Sequence, residues 1–378
     1  MSTEGVQKMS EDFIPPAKPI IGDEEREAVD RVLRSGMIAQ GPEVAAFEAE
    51  FAEHFVNGRA TVAVNSGTSG QHLGLLAAGV GAGDEVIVPS FTFAATGNSV
   101  ALTGATPVFA DIDPRTFTLD PASVRAAITP KTKGIMPVHL YGHPYLVDQI
   151  NAIAEEHGLA IYEDAAQAHG ASWNGRPVGT LGDFAMFSLY PTKNMTSGEG
   201  GMVSCATEEI ARNLRLLRNQ GMETQYANEV IGYNARMTDI HAAIGRVQLT
   251  KVDAWTAQRQ ANAAALTAGL ADVAGVTTPF VAPEAVHVYH QYTIRVDAAE
   301  RDRLRDALKA EHNVGSGVYY PIPNHRLPSL APFAPGLELP ETERAAAEVL
   351  SLPVHPSLSG ADIERIIAGV TAVLQAGA

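Results

Sequence analysis

TVAVNSGTSGQHLGLLAA, Thr61 to Ala78, passes from four apolar or β-branched residues through a turn of small residues into a helix-like segment. The same alternation continues outward along the chain. Further short apolar runs stand at Glu85–Val88, Pro107–Ala110, Gly134–Val138, Leu159–Tyr162, Phe184–Phe187 and Met202–Ser204. Helix-like intervals lie between most of them, as at Ser69–Ala78, Thr92–Leu102 and Tyr145–His157; the interval before Phe184 suits a hairpin. Strands alternating with helices predict an α/β fold built on a mostly parallel seven-stranded sheet, covered on both faces. A ligand site belongs at the carboxyl edge of such a sheet. Upstream, Asp23–Arg34 and Glu43–His54 read as helices around the loop SGMIAQGP, Ser35 to Pro42. Downstream, Ile240–Leu270 reads as one long Ala-rich helix, followed by strand-like HQYTIRV, helical RDRLRDALKA and a last helix from Gly360. The expected organisation is a flexible tail over residues 1–14, a large α/β domain over 15–255, and a linking helix with a smaller α+β domain over 256–378.

Composition narrows the function. Of 378 residues, 46% are hydrophobic and 19% charged, which suits a globular chain with a sizeable core. A net charge of −16 repels phosphate backbones, so no nucleic-acid partner is expected. The single cysteine, Cys205, excludes an intramolecular disulfide and any multi-cysteine metal cluster. The opening MSTEGVQKMSEDF is polar and acidic, and no apolar run is long enough to span a bilayer, so a cytoplasmic protein with no membrane partner is expected.

The residues at the strand ends carry the chemistry. Asn65-Ser66-Gly67-Thr68-Ser69-Gly70 enters a helix, and small residues there let backbone N–H groups approach a phosphate; a capped helix start reads equally well. Asp164 follows an apolar strand directly, so its carboxylate needs a partner, either as an N-cap or as the counterion of a cationic ring nitrogen. Lys193 stands in a strand-end loop with hydroxyls before it and the glycines of TSGEGG after it, a setting suited to a lysine of lowered pKa for Schiff-base chemistry. Phosphate cradle, ring carboxylate and lysine, in this order along the strand ends, describe a pyridoxal phosphate site.

These motifs resemble the DegT/DnrJ/StrS family of sugar aminotransferases, within fold type I. The resemblance rests on SGMIAQGP, VNSGTSGQHLGL, DEVIVPSFTFAAT, GATPVFADID, EDAAQAHGA, FSLYPTKN, TSGEGGM and GYNARMTDIHAAIGRVQL, and covers Pro16 to the C-terminal helix. It implies that Lys193 forms the internal aldimine and shuttles the proton, and that Asp164 keeps the pyridine nitrogen protonated. It also implies that Gln167 contacts the cofactor's phenolic side and that Ser188, Gly67 and Thr68 hold its phosphate. Phe93 would stack on the ring, with Phe91 as the alternative, and Asn234 would reach the phosphate in a neighbouring subunit. The implied enzyme is a homodimer with shared active sites. It passes the amino group of L-glutamate, through pyridoxamine phosphate, to a nucleotide-linked keto sugar. GYNARMTDIHAAIG and TSGEGGM are similar to enzymes that aminate C4 of a 4-keto-6-deoxy sugar nucleotide, such as perosamine synthases. Met37, Tyr320 and His325 are the implied substrate contacts; the last two lie in VYYPIPNH, where Tyr319 replaces the family's usual His.

Competing readings are simpler. GVGAG, Gly79 to Gly83, precedes a strand and reads as a helix-to-strand turn. Asp111 and Asp113 read as a strand-end turn, and His139 and His143 lack the helix that a zinc pair at this spacing needs, so no metal site is expected. Cys205 reads as a small core residue. Arg212, Arg215 and Arg218 share a helix face, solvated by default, with a nucleotide diphosphate as the functional alternative. The other functional readings are a C3-keto-sugar or keto-cyclitol aminotransferase and a non-catalytic regulatory protein that binds the cofactor. A nicotinamide enzyme is excluded for want of G-x-G-x-x-G after the first strand.

Overall fold

The computed structural model describes residues 12–376. Its central sheet has seven strands: β1 (Thr61–Val64), β2 (Glu85–Pro89), β3 (Thr106–Ala110), β4 (Thr132–Ile135), β5 (Ala160–Asp164), β6 (Phe184–Ser188) and β7 (Gly201–Cys205). They lie in the order β1–β7–β6–β5–β4–β2–β3. β7 is antiparallel to both its neighbours, and every other pairing is parallel. β1, β2, β5 and β6 therefore all deliver their carboxyl ends to one edge.

Helices α1 (Asp23–Ser35), α2 (Pro42–Phe55), α3 (Gly67–Ala77), α4 (Ala95–Leu102), α5 (Pro121–Ala127), α6 (Val147–His157) and α7 (Glu208–Arg218) surround this sheet. Strand periodicity sorts the side chains between two cores. Val86, Val88, Phe184 and Met186 join Leu73 and Leu75 of α3 and Leu214 of α7. Their neighbours Ile87, Ala185 and Phe187 join Phe47 and Phe51 of α2 and Ile150 and Ile153 of α6 on the opposite face. With both faces covered, the strands read as continuous apolar runs, as buried parallel strands do. The expected hairpin before β6 pairs Ser172–Trp173 with Arg176–Pro177. Asn174 and Gly175 both take positive φ at its tip, as a tight two-residue turn requires.

Two expectations about the remainder need correction. The stretch Ile240–Leu270 is two helices, α8 (Asp239–Leu249) and α9 (Val252–Leu270), so a boundary at residue 256 would fall inside α9. The chain breaks between them because α8 packs on α1 and α2, whereas α9 joins a third core. At the break, the Lys251 ammonium donates to the buried Glu25 carboxylate of α1 at 2.8 Å. The third core encloses the antiparallel pair β8 (Tyr292–Arg295) and β9 (Val349–Leu352), with α10 (Ala298–His312), α11 (Pro340–Glu348) beside it, and α12 (Gly360–Gln375). Ile14, placed in a flexible tail by the sequence, is buried in that core, and its N–H donates to the Asn313 carbonyl at 2.9 Å. The rest of that tail, residues 1–11, lies outside the described residues.

Candidate active site

Asp164 ends β5 rather than following it, which fixes its backbone in the sheet and leaves the carboxylate buried at the carboxyl edge. Its Oδ2 accepts from the Thr96 hydroxyl at 2.8 Å and its Oδ1 from the Ala166 N–H at 3.2 Å. Burial raises its pKa; these hydrogen bonds and the charge of Lys193 act in the opposite direction. Lys193 is half-buried on the loop after β6. Burial lowers its pKa to about 8, against the opposing pull of Asp164. Among the described residues its ammonium has no carboxylate within 4 Å, so the lysine is free to act as a nucleophile near neutral pH.

The loop that carries Lys193 is laced to the end of β6. Leu189 N–H donates to the Gly200 carbonyl, while the Leu189 carbonyl accepts from Ser197 N–H at 3.0 Å and the Thr196 hydroxyl at 2.8 Å. Asn194 ties the same loop to the C-terminal part, donating to the Val288 carbonyl at 3.0 Å.

The small-residue turn after β1 leads into α3 with Ser66 as N-cap, its hydroxyl oxygen accepting from Ser69 N–H. Gly67 and Thr68 occupy the first helical positions, whose N–H groups have no partner within a helix. Ser188, last residue of β6, stands opposite. A Cβ on Gly67 would lie 3.1 Å from the Ser188 Cβ and 3.3 Å from its Oγ, so only glycine leaves this cradle open. Gly67→Ala is expected to change thermal stability little, the helix propensity of alanine offsetting the 3.1–3.3 Å contacts of its Cβ with Ser188 and Met186. It should weaken binding of pyridoxal phosphate about tenfold or more, because the added Cβ crowds the space beside Ser188 and overpacking costs about 1–3 kcal/mol. Fluorescence titration beside a melting curve checks both.

Gln167 is fixed without ambiguity about its amide. Its Oε1 accepts from Tyr141 N–H at 2.7 Å, a group that can only donate, so Nε2 is the atom 2.7 Å from the Tyr320 hydroxyl. Tyr320 accepts that bond and keeps its own proton to donate. Tyr141 and Tyr320 both take φ of 58°, strained for residues with a Cβ, and their rings stack.

The aromatic alternatives separate. Phe91 is fully buried against Phe117, Tyr141 and Tyr320, with no face left for a ligand. Phe93, two residues on, is 64% exposed beside Thr96 and keeps its ring free. Asp164, Lys193, Gln167, Ser188, Gly67, Thr68 and Phe93 thus arise from the converging ends of β1, β2, β5 and β6, and this donor set fits pyridoxal phosphate.

Other candidates lie elsewhere or are occupied. His325 is buried, with Nδ1 2.7 Å from the Ser90 hydroxyl and Nε2 3.1 Å from Glu343, which leaves no ring nitrogen free for a sugar. Met37 is exposed on a loop held by Asp239, whose carboxylate accepts from the N–H groups of Gly41 and Val44. Asn234 is exposed and bonded to none of the other candidates, although the adjacent Ala235 carbonyl accepts from Asn65 N–H at the end of β1. The arginines of α7 do not form an anion site. Arg212 is paired with Glu223 and Glu229, Arg215 with Glu208, and Arg218 is buried against Glu48. Asp111 caps α11 by accepting from the Thr342 N–H, and Asp113 closes its own turn. His139 meets Glu163, while His143 is held by Pro144 and Ala282; no group of three metal-ligating side chains occurs among the described residues. Cys205 is buried and its thiol is pushed up to about 12 by burial. Among the described residues no helix is long and apolar enough to cross a membrane. Sequence reading missed Thr96 and Tyr141, whose partners stand 68 and 26 residues away.

The profile of the DegT/DnrJ/EryC1/StrS aminotransferase family matches residues 19–371. Among named relatives, a pleiotropic regulatory protein of Geobacillus stearothermophilus is 46% identical, over 87% of this chain and 89% of its own. The dTDP-3-amino-3,4,6-trideoxy-alpha-D-glucose transaminase of Streptomyces venezuelae is 44% identical, over 91% and 90%. The GDP-perosamine synthase of Caulobacter vibrioides is 41% identical, over 96% and 98%. The crystal structure of S. venezuelae DesV in complex with a ketimine intermediate superposes with a TM-score of 0.89 at 42% identity, covering 93% of this chain and 95% of that one.

Proposed function

Since the chain belongs to the DegT/DnrJ/EryC1/StrS aminotransferase family, whose members depend on pyridoxal phosphate, we propose that it transfers the amino group of L-glutamate to the keto group of a nucleotide-linked sugar. The observation that carries this reading is the pair Lys193 and Asp164 at adjacent strand ends, each shifted by burial and each influencing the other. The cofactor, when bound, supplies an electron sink for a carbanion at the substrate carbon. The protein supplies the rest. Gly67, Thr68 and Ser188 would hold the phosphate, Phe93 would cover the ring, and Gln167, with one N–H given to Tyr320, would offer the other to the phenolic oxygen. Asp164 holds a proton on the ring nitrogen. Lys193 Nζ, poised near neutrality, would be the base that moves the proton at the reacting carbon, serving glutamate and sugar in opposite directions.

C4 of a 4-keto-6-deoxyhexose nucleotide is the acceptor we assign, on the GYNARMTDIHAAIG and TSGEGGM segments. Two active sites are shared in a homodimer, a reading supported by the apolar surface around Asn234, where Tyr226, Ile231 and Tyr233 are exposed. A cytoplasmic location, and a division into a larger cofactor-binding part and a smaller part that begins with α9, belong to the same reading.

The test is an absorbance spectrum of the cofactor-loaded protein, taken before and after L-glutamate and then after a panel of C4- and C3-keto sugar nucleotides. Glutamate should bleach the cofactor band and a 4-keto sugar should restore it. Restoration only by a 3-keto sugar moves the acceptor position. A band that ignores every amino donor favours a regulatory protein, as the Geobacillus relative is named.

A further inference from the structure

We propose that Thr96 is a positioning residue for the transamination, fixing the Asp164 carboxylate that would hold the cofactor's ring nitrogen and tying it to the segment that carries Phe93. The inference rests on the cofactor reading given above. Thr96 is fully buried in the first turn of α4, where nothing in its chemistry requires a hydroxyl except the carboxylate it faces. Its Oγ1 donates to Asp164 Oδ2 at 2.8 Å. That hydroxyl has one proton, so the Thr92 hydroxyl, 3.3 Å away, is the donor in their contact. Two threonines thus form a relay that ends on the carboxylate and leaves no acceptor competing for it. The Thr96 peptide N–H also donates to the Phe93 carbonyl at 3.2 Å. One residue therefore links the free aromatic ring at the end of β2 to the carboxylate at the end of β5.

A carboxylate buried this deeply stays ionised only while donors face it. Around Asp164 these are Thr96, the Ala166 N–H and the Gln71 side chain, with Lys193 as the nearby cation and Tyr320 as a second titratable group. Removing the Thr96 donor disfavours the ionised form, so the acid limb of the kcat profile should move to higher pH.

The experiment compares wild type, Thr96→Val and Thr96→Ser as holoenzymes. Thr96→Val, which keeps shape and loses the donor, should raise the Kd for pyridoxal phosphate and lower kcat, each about tenfold, with KM for the keto sugar unchanged. Its acid limb should rise by about one pH unit. Thr96→Ser should restore all three. Thr92→Val, which removes only the donor to Thr96, should shift the same quantities less, and serves if Thr96→Val does not fold. A Thr96→Val protein with wild-type Kd and acid limb overturns the proposal, as does a Thr96→Ser protein as impaired as Thr96→Val. A wild type that binds no pyridoxal phosphate overturns the cofactor reading instead, and this inference with it.

Discussion

Lys193→Ala is expected to reduce turnover by at least about 10⁴-fold while leaving the fold and non-covalent cofactor binding in place. The size follows from the double duty of one amine, covalent anchor and general base, the second role alone being worth about 10²–10⁴. The fold should survive because the Lys193 ammonium has no ion-pair partner among the described residues, and the loop is held by Leu189, Thr196 and Asn194 instead. The cofactor should still bind because the phosphate cradle, Asp164 and Phe93 are untouched. Spectral titration with pyridoxal phosphate, beside steady-state rates with glutamate and the keto sugar, checks both halves. Appreciable turnover by this variant would remove the assignment of the base.

The same lysine gives a signed pH dependence in the wild type. Its pKa is lowered by burial to about 8, so about a tenth of the molecules carry the free amine at pH 7. Loading of the apo protein with pyridoxal phosphate should therefore accelerate as pH rises, with its midpoint near 8 rather than near the 10.5 of an ordinary lysine. A midpoint above 10 would mean that the side chain stands in water.

Much of this site was legible because the strand ends are short in sequence and rich in meaning. Asp164, Lys193 and the Gly67–Thr68 turn each lie at or within five residues of the end of an apolar run, and a mostly parallel sheet brings such positions to one edge whatever the loop lengths between them. What stayed hidden depended on partners far along the chain. Thr96 reads as an ordinary residue of a helix start until Asp164, at the end of another strand, is seen to face it. His325 reads as a polar residue in a substrate loop, yet Ser90 takes one ring nitrogen and Glu343 the other. The break between α8 and α9 escaped for a related reason. Nothing in the local sequence opposes a helix through Thr250 and Lys251, and the turn is imposed by packing on α1 and by the Glu25 carboxylate.

Asp164→Asn should lower kcat by about 10² to 10³, the equivalent of about 2.7–4 kcal/mol for removing one preorganised electrostatic partner of the charge that develops in the reaction. The substitution keeps the shape, and the Asn carbonyl can still accept from Ala166 N–H, so the melting temperature should change little. What is lost is the anion that keeps a proton on the ring nitrogen. A second, independent sign accompanies the loss. The charge of Asp164 opposes the effect of burial on Lys193, holding the lysine's pKa above where burial alone would leave it. Without that charge the lysine deprotonates more readily, so cofactor loading in Asp164→Asn should show a midpoint below 8. Chemistry thus becomes slower while the lysine becomes easier to deprotonate, a combination that misfolding cannot produce. Stopped-flow loading across pH 6 to 9, set beside kcat for the same preparation, separates the two effects. Wild-type kcat together with an unmoved midpoint would show that Asp164 faces neither the ring nor the lysine.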